Sequence, residues 1–114
     1  MNDFILLKWR NRRMTVGIDD ICYVESYNRH LSVHTVNQTI EVVGKLSEIM
    51  TQLGSDFICI HKSFAVNMKY IFKIDNNGVT MNSGDLLPVS VRKKTQVVNS
   101  FDSFCEGNRK ADIR

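Results

Sequence analysis

Proline is nearly missing from this sequence: Pro88 is the single copy in 114 residues. Lacking an N–H to donate, it marks the edge or end of a strand. Long hydrophobic runs are missing too. The N-terminal Phe4-Ile5-Leu6-Leu7 stops at Lys8, and no longer apolar run follows. That excludes a signal peptide and a membrane-spanning helix, and the reading is a cytoplasmic chain with no membrane part. Cysteine is sparse and odd in number: Cys22, Cys59 and Cys105 are far apart, form no CxxC pair and sit among apolar neighbours. This is the setting of buried reduced thiols, not of a secreted disulfide scaffold. Strong charge of either sign is absent, since 15 Lys+Arg stand against 12 Asp+Glu.

The motifs of catalysis are absent as well. There is no GxSxG, no Walker-type loop, no HExxH and no carboxylate pair beside a histidine. Asp19-Asp20 precedes a strand and reads as a turn. His30 and His34 lie four apart in a segment whose period is two, whereas stacking them as metal ligands at that spacing needs a helix. The chain reads as neither an enzyme nor a metal or cofactor binder.

What remains is mostly strand. Leu31, Val33 and Thr35 alternate with Ser32 and His34, the pattern of a half-buried strand, and Asn37-Gln38 turns it into a hairpin partner over Thr39–Val43. Phe4–Trp9, Met14–Ile18, Ile21–Val24, Phe57–Ile60, Tyr70–Ile74, Val79–Met81 and Leu86–Val89 are the other strand candidates. Asp75-Asn76-Asn77-Gly78 is a strong turn between two of them. Two helices are expected. Leu46, Ile49, Met50 and Leu53 recur at helical spacing between Gly44 and Gly54. Val97, Val98, Phe101, Phe104 and Cys105 make one stripe in a second helix over Val91–Cys105, with Ser90 as its N-cap. No strand–helix–strand alternation implies a parallel sheet. The expectation is one mostly β domain of many short strands with one or two small helices, and no repeat or linker divides it.

Basic residues gather locally. Lys8, Arg10, Arg12 and Arg13 form one cluster, Arg92, Lys93 and Lys94 another, and Lys62 lies within Phe57–Asn67 with Lys69 just beyond it. Such gathering in a nearly balanced chain suggests an anion-binding face, although a solvated surface is the commoner reason for any one cluster. Two stretches break local rules. Arg92, Lys93 and Lys94 fall at a helix N-terminus, which already carries partial positive charge; cations are unfavourable there unless an anion is bound. His61-Lys62-Ser63 interrupts the apolar runs Phe57–Ile60 and Phe64–Val66. It is either a bulge where a strand leaves the core or a donor-rich loop presented to a ligand. Tyr27-Asn28-Arg29-His30 is a third loop of the same chemistry. Lys, Arg, Ser and His all contact phosphates, and Lys and Arg read guanine acceptors in a major groove.

"ICYVESYNRHLSVHT", "GKLSEIMTQLGSDFICIHKSFAVNMKYI" and "LPVSVRKKTQVV", in that order, resemble the LytTR DNA-binding domain, usually the output domain of bacterial response regulators. The resemblance covers residues 3–104 and leaves 105–114 as a polar tail. It implies an elongated stack of short-stranded, mainly antiparallel sheets. Its loops, with no recognition helix, enter successive major grooves of double-stranded DNA and bend it, two domains occupying paired direct repeats. By that likeness His30, Lys62 and Arg92 read bases, with Arg29 able to replace His30. Arg29, Lys45, His61, Ser63, Asn67, Ser90, Lys93 and Lys94 are backbone contacts or loop supports. The usual receiver domain would lie outside this chain. The competing reading is a β-rich interaction module for a protein or an anionic small molecule.

Overall fold

Alternation writes the first strand. In Phe4–Trp9 (β1), Ile5 and Leu7 are buried while Phe4, Leu6 and Lys8 face outward, the period of two expected of a strand with one dry face. The computed structural model describes residues 3–108. A two-residue turn, Arg10-Asn11, returns β1 to Arg12–Gly17 (β2), and the pair forms a sheet of its own.

The central layer has five strands: Ile21–Tyr27 (β3), His30–Thr35 (β4), Thr39–Val43 (β5), Phe57–His61 (β6) and Phe64–Asn67 (β7), in spatial order β5-β4-β3-β7-β6. A helix, Leu46–Leu53 (α1), connects β5 to β6. Ile71–Asp75 (β8), Gly78–Met81 (β9) and Leu86–Leu87 (β10) make the third sheet, and the long helix Lys94–Asn108 (α2) follows a 3-10 turn over Val91–Lys93. Every strand pairing is antiparallel.

Both faces of the central sheet are dry, and adjacent residues serve different cores. Val24, Ala65 and Phe57 pack with Ile5, Leu7 and Val16 of the first sheet and with Leu46, Ile49 and Leu53 of α1. Tyr23, Val66 and Ile58 point the other way, onto Ile71, Val79, Met81 and Leu87 of the third sheet and Val97 of α2. Each such aliphatic side chain contributes about 1.5–3 kcal/mol when fully buried. The result is a mostly β, elongated stack measuring 51 × 34 × 24 Å.

Local chemistry explains the joints. α1 starts where the Glu48 carboxylate accepts the Lys45 N–H at 3.1 Å and ends at Gly54, whose φ of +91° favours glycine. Gly78 closes the β8–β9 hairpin at φ +131°, where a Cβ would collide with the Leu87 carbonyl. Tyr23 latches the central sheet to the third, its hydroxyl donating to the Asp85 carboxylate at 3.0 Å.

Three expectations need correcting. The second helix does not begin at Val91 under a Ser90 cap. The Ser90 hydroxyl makes no capping bond, because the donor it would satisfy, Lys93 N–H, is taken by Ser90's own carbonyl at 2.9 Å. A 3-10 turn therefore carries Arg92 and Lys93, and α2 starts at Lys94 and runs to Asn108. It thus overlaps the expected tail from 105, whose remainder, residues 109–114, lies outside the described residues. The second strand is not Met14–Ile18 but Arg12–Gly17, so Arg12 and Arg13 lie within β2. The three cysteines are half-buried, not buried, and form no disulfide. Among the described residues no helix is long and apolar enough to cross a membrane, and no group of three or more His, Cys, Asp or Glu could hold a metal ion.

Candidate nucleic-acid interface

The turns β3–β4 and β6–β7 and the exit of β5 all fall at one end of the central sheet, as the antiparallel register requires. Tyr27 pairs with His30, which leaves Asn28 and Arg29 as a two-residue turn with φ of +48° and +66°. Two left-handed residues make the type I′ geometry that suits a twisted hairpin. Asparagine tolerates that region and arginine does so less readily. The Arg29 carbonyl accepts the Gly44 N–H at 2.9 Å, stitching the turn to the end of β5 and to Lys45 beyond it. His30 is thus the first residue of β4, not part of the turn, and its ring lies edge-on to Trp9 at 6.3 Å.

The His61-Lys62-Ser63 interruption is a braced turn. The register slips between Cys59 and His61, so β6 bulges just before it turns. His61 Nδ1 accepts the Ser63 N–H at 3.1 Å, and the Ser63 carbonyl accepts the Ser26 N–H of β3 at 2.8 Å. Ile60, fully buried, anchors the strand before the bulge. Lys62 is left exposed at the apex.

The last piece joins through Ser90, whose N–H donates to the Ile60 carbonyl at 2.9 Å and holds the 3-10 turn against β6. His61, Lys62, Ser90, Arg92, Lys93 and Gln96 then line a cleft of about 420 Å3 that contains no carboxylate. Arg29, Lys62, Arg92, Lys93 and Lys94 enter no salt bridge among the described residues. Across four strand spacings of about 4.8 Å, the end of the sheet presents a row roughly 19 Å long. It runs from Lys45 past Arg29 and His30 to Lys62 and Arg92.

Two of the expected site residues stand apart from this row. Asn67 is 1 % exposed and sits at the far end of β7, donating to the Ile21 carbonyl at 3.0 Å and accepting the Lys69 N–H at 3.1 Å. Its place is structural. Lys94 lines a different hollow with Ile74, Asp75, Asn76 and Val89, since one residue of rotation carries it to another side of the chain than Lys93. Gln96 was not expected in the cleft, although its spacing three and four residues after Lys93 and Arg92 is the signal that places it there.

The groups with displaced titration lie elsewhere. Burial, the hydrogen bond to Asp85 and the charges of Asp85 and Glu25 push the Tyr23 hydroxyl well above the ordinary tyrosine value. Burial with Asp20 and Asp85 raises the Cys22 thiol, and burial with Cys22, Asp20 and Asp19 raises Tyr70. Both thiol and phenols stay neutral near neutral pH, so the charge at the cationic edge is that of its own side chains.

Residues 11–102 match the LytTr DNA-binding domain family. The chain is 35 % identical over 81 residues to the sensory transduction protein LytT of Bacillus subtilis (strain 168), an alignment covering 66 % of this chain and 34 % of that protein. It therefore spans about a third of the length of this curated relative. Among solved structures it is similar to the LytTr DNA-binding domain of a response regulator from Bacillus cereus, with a TM-score of 0.74 and 23 % identity, covering 85 % of this chain and 94 % of that one.

Proposed function

The chain belongs to the LytTr DNA-binding domain family, and from that premise we propose that its cationic edge reads double-stranded DNA sequence-specifically in the major groove, as the output domain of a transcriptional regulator. The observation that carries the reading is the shared cleft of Lys62 and Arg92. Two residues thirty positions apart in sequence converge, with no carboxylate between them. Arg92 offers a planar fork to the N7 and O6 acceptors of guanine, and Lys62 a compact ammonium for the same edge. His30, or Arg29 beside it, reads a second position farther along the row. Lys45, Ser63, Ser90 and Lys93 serve phosphates and fix register. His61 acts through the turn it closes, and Asn67 through the strand it ends.

What supports reading by turns is how the helices are used. α1 commits Leu46, Ile49 and Leu53 to the core, and α2 commits Val97, whereas the strand turns are exposed and rigidly seated. A single module contacts few bases, so two copies would occupy direct repeats about one helical turn apart, each fused to a receiver domain beyond this chain.

The test is binding to duplex DNA at several salt concentrations. The expected result is log K falling with log salt at a slope matching a handful of phosphate contacts, with duplex preferred over single strands. A flat salt response would overturn this reading in favour of an interaction module.

A further inference from the structure

Arg10, Asn28 and Arg29 are the non-glycine residues with positive φ among the described residues, and they sit on the hairpin tips on either side of His30. Asparagine adopts this region at little cost, but each arginine carries a steric penalty there. Strain of this kind persists where the position does something that a relaxed residue would not. At Arg10 the surroundings say what. Its guanidinium carbon lies 5.0 Å over the Trp9 ring, and the same ring meets His30 edge-on at 6.3 Å. A strained turn thus aims a cation, and an indole holds both that cation and the first residue of β4. Trp9 and Arg10 both precede residues 11–102, the part matched to the family.

We propose that Arg10 is a further DNA contact, a phosphate clamp on the rim of the groove that His30 enters, with Trp9 as the residue that positions both. The proposal rests on the DNA reading above. Laid end to end, the two ring separations are shorter than the roughly 12 Å width of a major groove. A cation tethered so close to a side chain inside the groove is within reach of the flanking phosphates. Guanidinium suits a phosphate through paired hydrogen bonds, and stacking on an indole leaves its N–H groups free at the edges. The carboxylate on this flank, Glu41, accepts the Ser32 hydroxyl at 2.9 Å and forms no salt bridge with Arg10. Arg12, exposed beside Trp9, adds to the positive potential.

The experiment uses the full chain with a specific and a random duplex. Arg10→Gln removes the charge; its salt slope should fall by about 0.9, and affinity should drop equally on both duplexes, as a phosphate contact requires. Arg10→Gly should give the same loss together with a higher melting temperature, because glycine relieves the left-handed backbone. Arg10→Lys should keep the slope. Trp9 is the only tryptophan, so its emission reports this corner alone and should change when specific duplex binds. If Arg10→Gln keeps the wild-type slope and affinity while Arg92→Ala loses specific binding, the proposal is overturned and the DNA reading stands. A wild-type chain that binds no duplex overturns both.

Discussion

The two ends of the central sheet are built from the same five strands and finished in opposite ways. One end is outward-looking: Arg29, His30, Lys45, Lys62 and Arg92 are all exposed there. The other end turns inward. Asn67 bonds the Ile21 carbonyl and the Lys69 N–H, and the backbone N–H groups of Ile18, Met68 and Val36 donate to the backbone carbonyls of Asp3, Asp56 and Asp20. Aspartates also gather there, around the single exposed Lys69. Asp3, Asp19 and Asp56 line one hollow with Asn67, and Asp20 lies next to them. The net charge of +3 averages over a segregated molecule. Satisfied donors and acceptors belong to structure; donors held rigidly and left exposed are available to a ligand. A charge asymmetry along the sheet also orients the domain on approach to a polyanion, presenting the basic end first.

The strongest way to test this division is at the inward end. Asn67→Ala leaves the Ile21 carbonyl and the Lys69 N–H without their partner, a loss of roughly 2–4 kcal/mol, and melting should fall on the order of 10–20 °C. At a temperature where the variant is folded by circular dichroism, its DNA affinity should equal wild type. A folded variant with altered base preference would show that the ends are not independent. Next comes Arg92→Ala, with a loss of about ten- to a hundredfold on a specific duplex measured by fluorescence anisotropy, little loss on random DNA, and melting unchanged or slightly raised. Equal losses on both duplexes would make Arg92 a phosphate clamp. Lys62→Ala should cost about tenfold in affinity and blunt sequence preference with the fold intact, whereas Lys94→Ala, on the other side of the chain, should bind close to wild type. The smallest effect belongs to the acidic end. Asp19→Asn with Asp20→Asn should raise affinity for random duplex two- to threefold at about 10 mM salt, and the gain should vanish near 1 M salt, as screening requires. A gain that persists at high salt would place these residues at the DNA, against the proposed orientation.

Much of this fold was legible in the sequence because local pattern and final burial agree. The alternation of Leu31 and Val33 with Ser32 and His34 marks β4, and Leu46, Ile49 and Leu53 mark α1 at the helical spacing. The polar break His61-Lys62-Ser63 is visible because it interrupts two apolar runs. A Ser before a helical stripe looks like a cap, which is why the sequence points to a start at Val91 and not at Lys94. Nothing in the sequence shows that the backbone will satisfy Lys93 N–H by itself. The resemblance implies a backbone contact or loop support for Asn67, and its partners, 46 residues away at Ile21 and two away at Lys69, appear only on folding. The acidic end was invisible for the same reason: Asp3, Asp19, Asp20 and Asp56 are scattered along the chain and meet only when the strands pair. The contact between Trp9 and His30 likewise crosses two sheets.

The central layer is gripped from both faces, with Val24 and Ala65 held in one core and Ile60 and Val66 in the other. A layer held in this way cannot fan open, so the spacing of its turns is a fixed gauge. That gauge, roughly 19 Å, is shorter than the 34–36 Å repeat of the double helix. On the proposed reading, turns near its two ends would engage successive grooves, and the mismatch would be absorbed by the more compliant body, the duplex. Curving a site of 20–30 base pairs costs on the order of 1–6 kcal/mol, least where flexible pyrimidine–purine steps lie at the bend. On that reading the stiffness of the domain would act as a sensor of DNA mechanics, ranking operators by base pairs that no side chain touches.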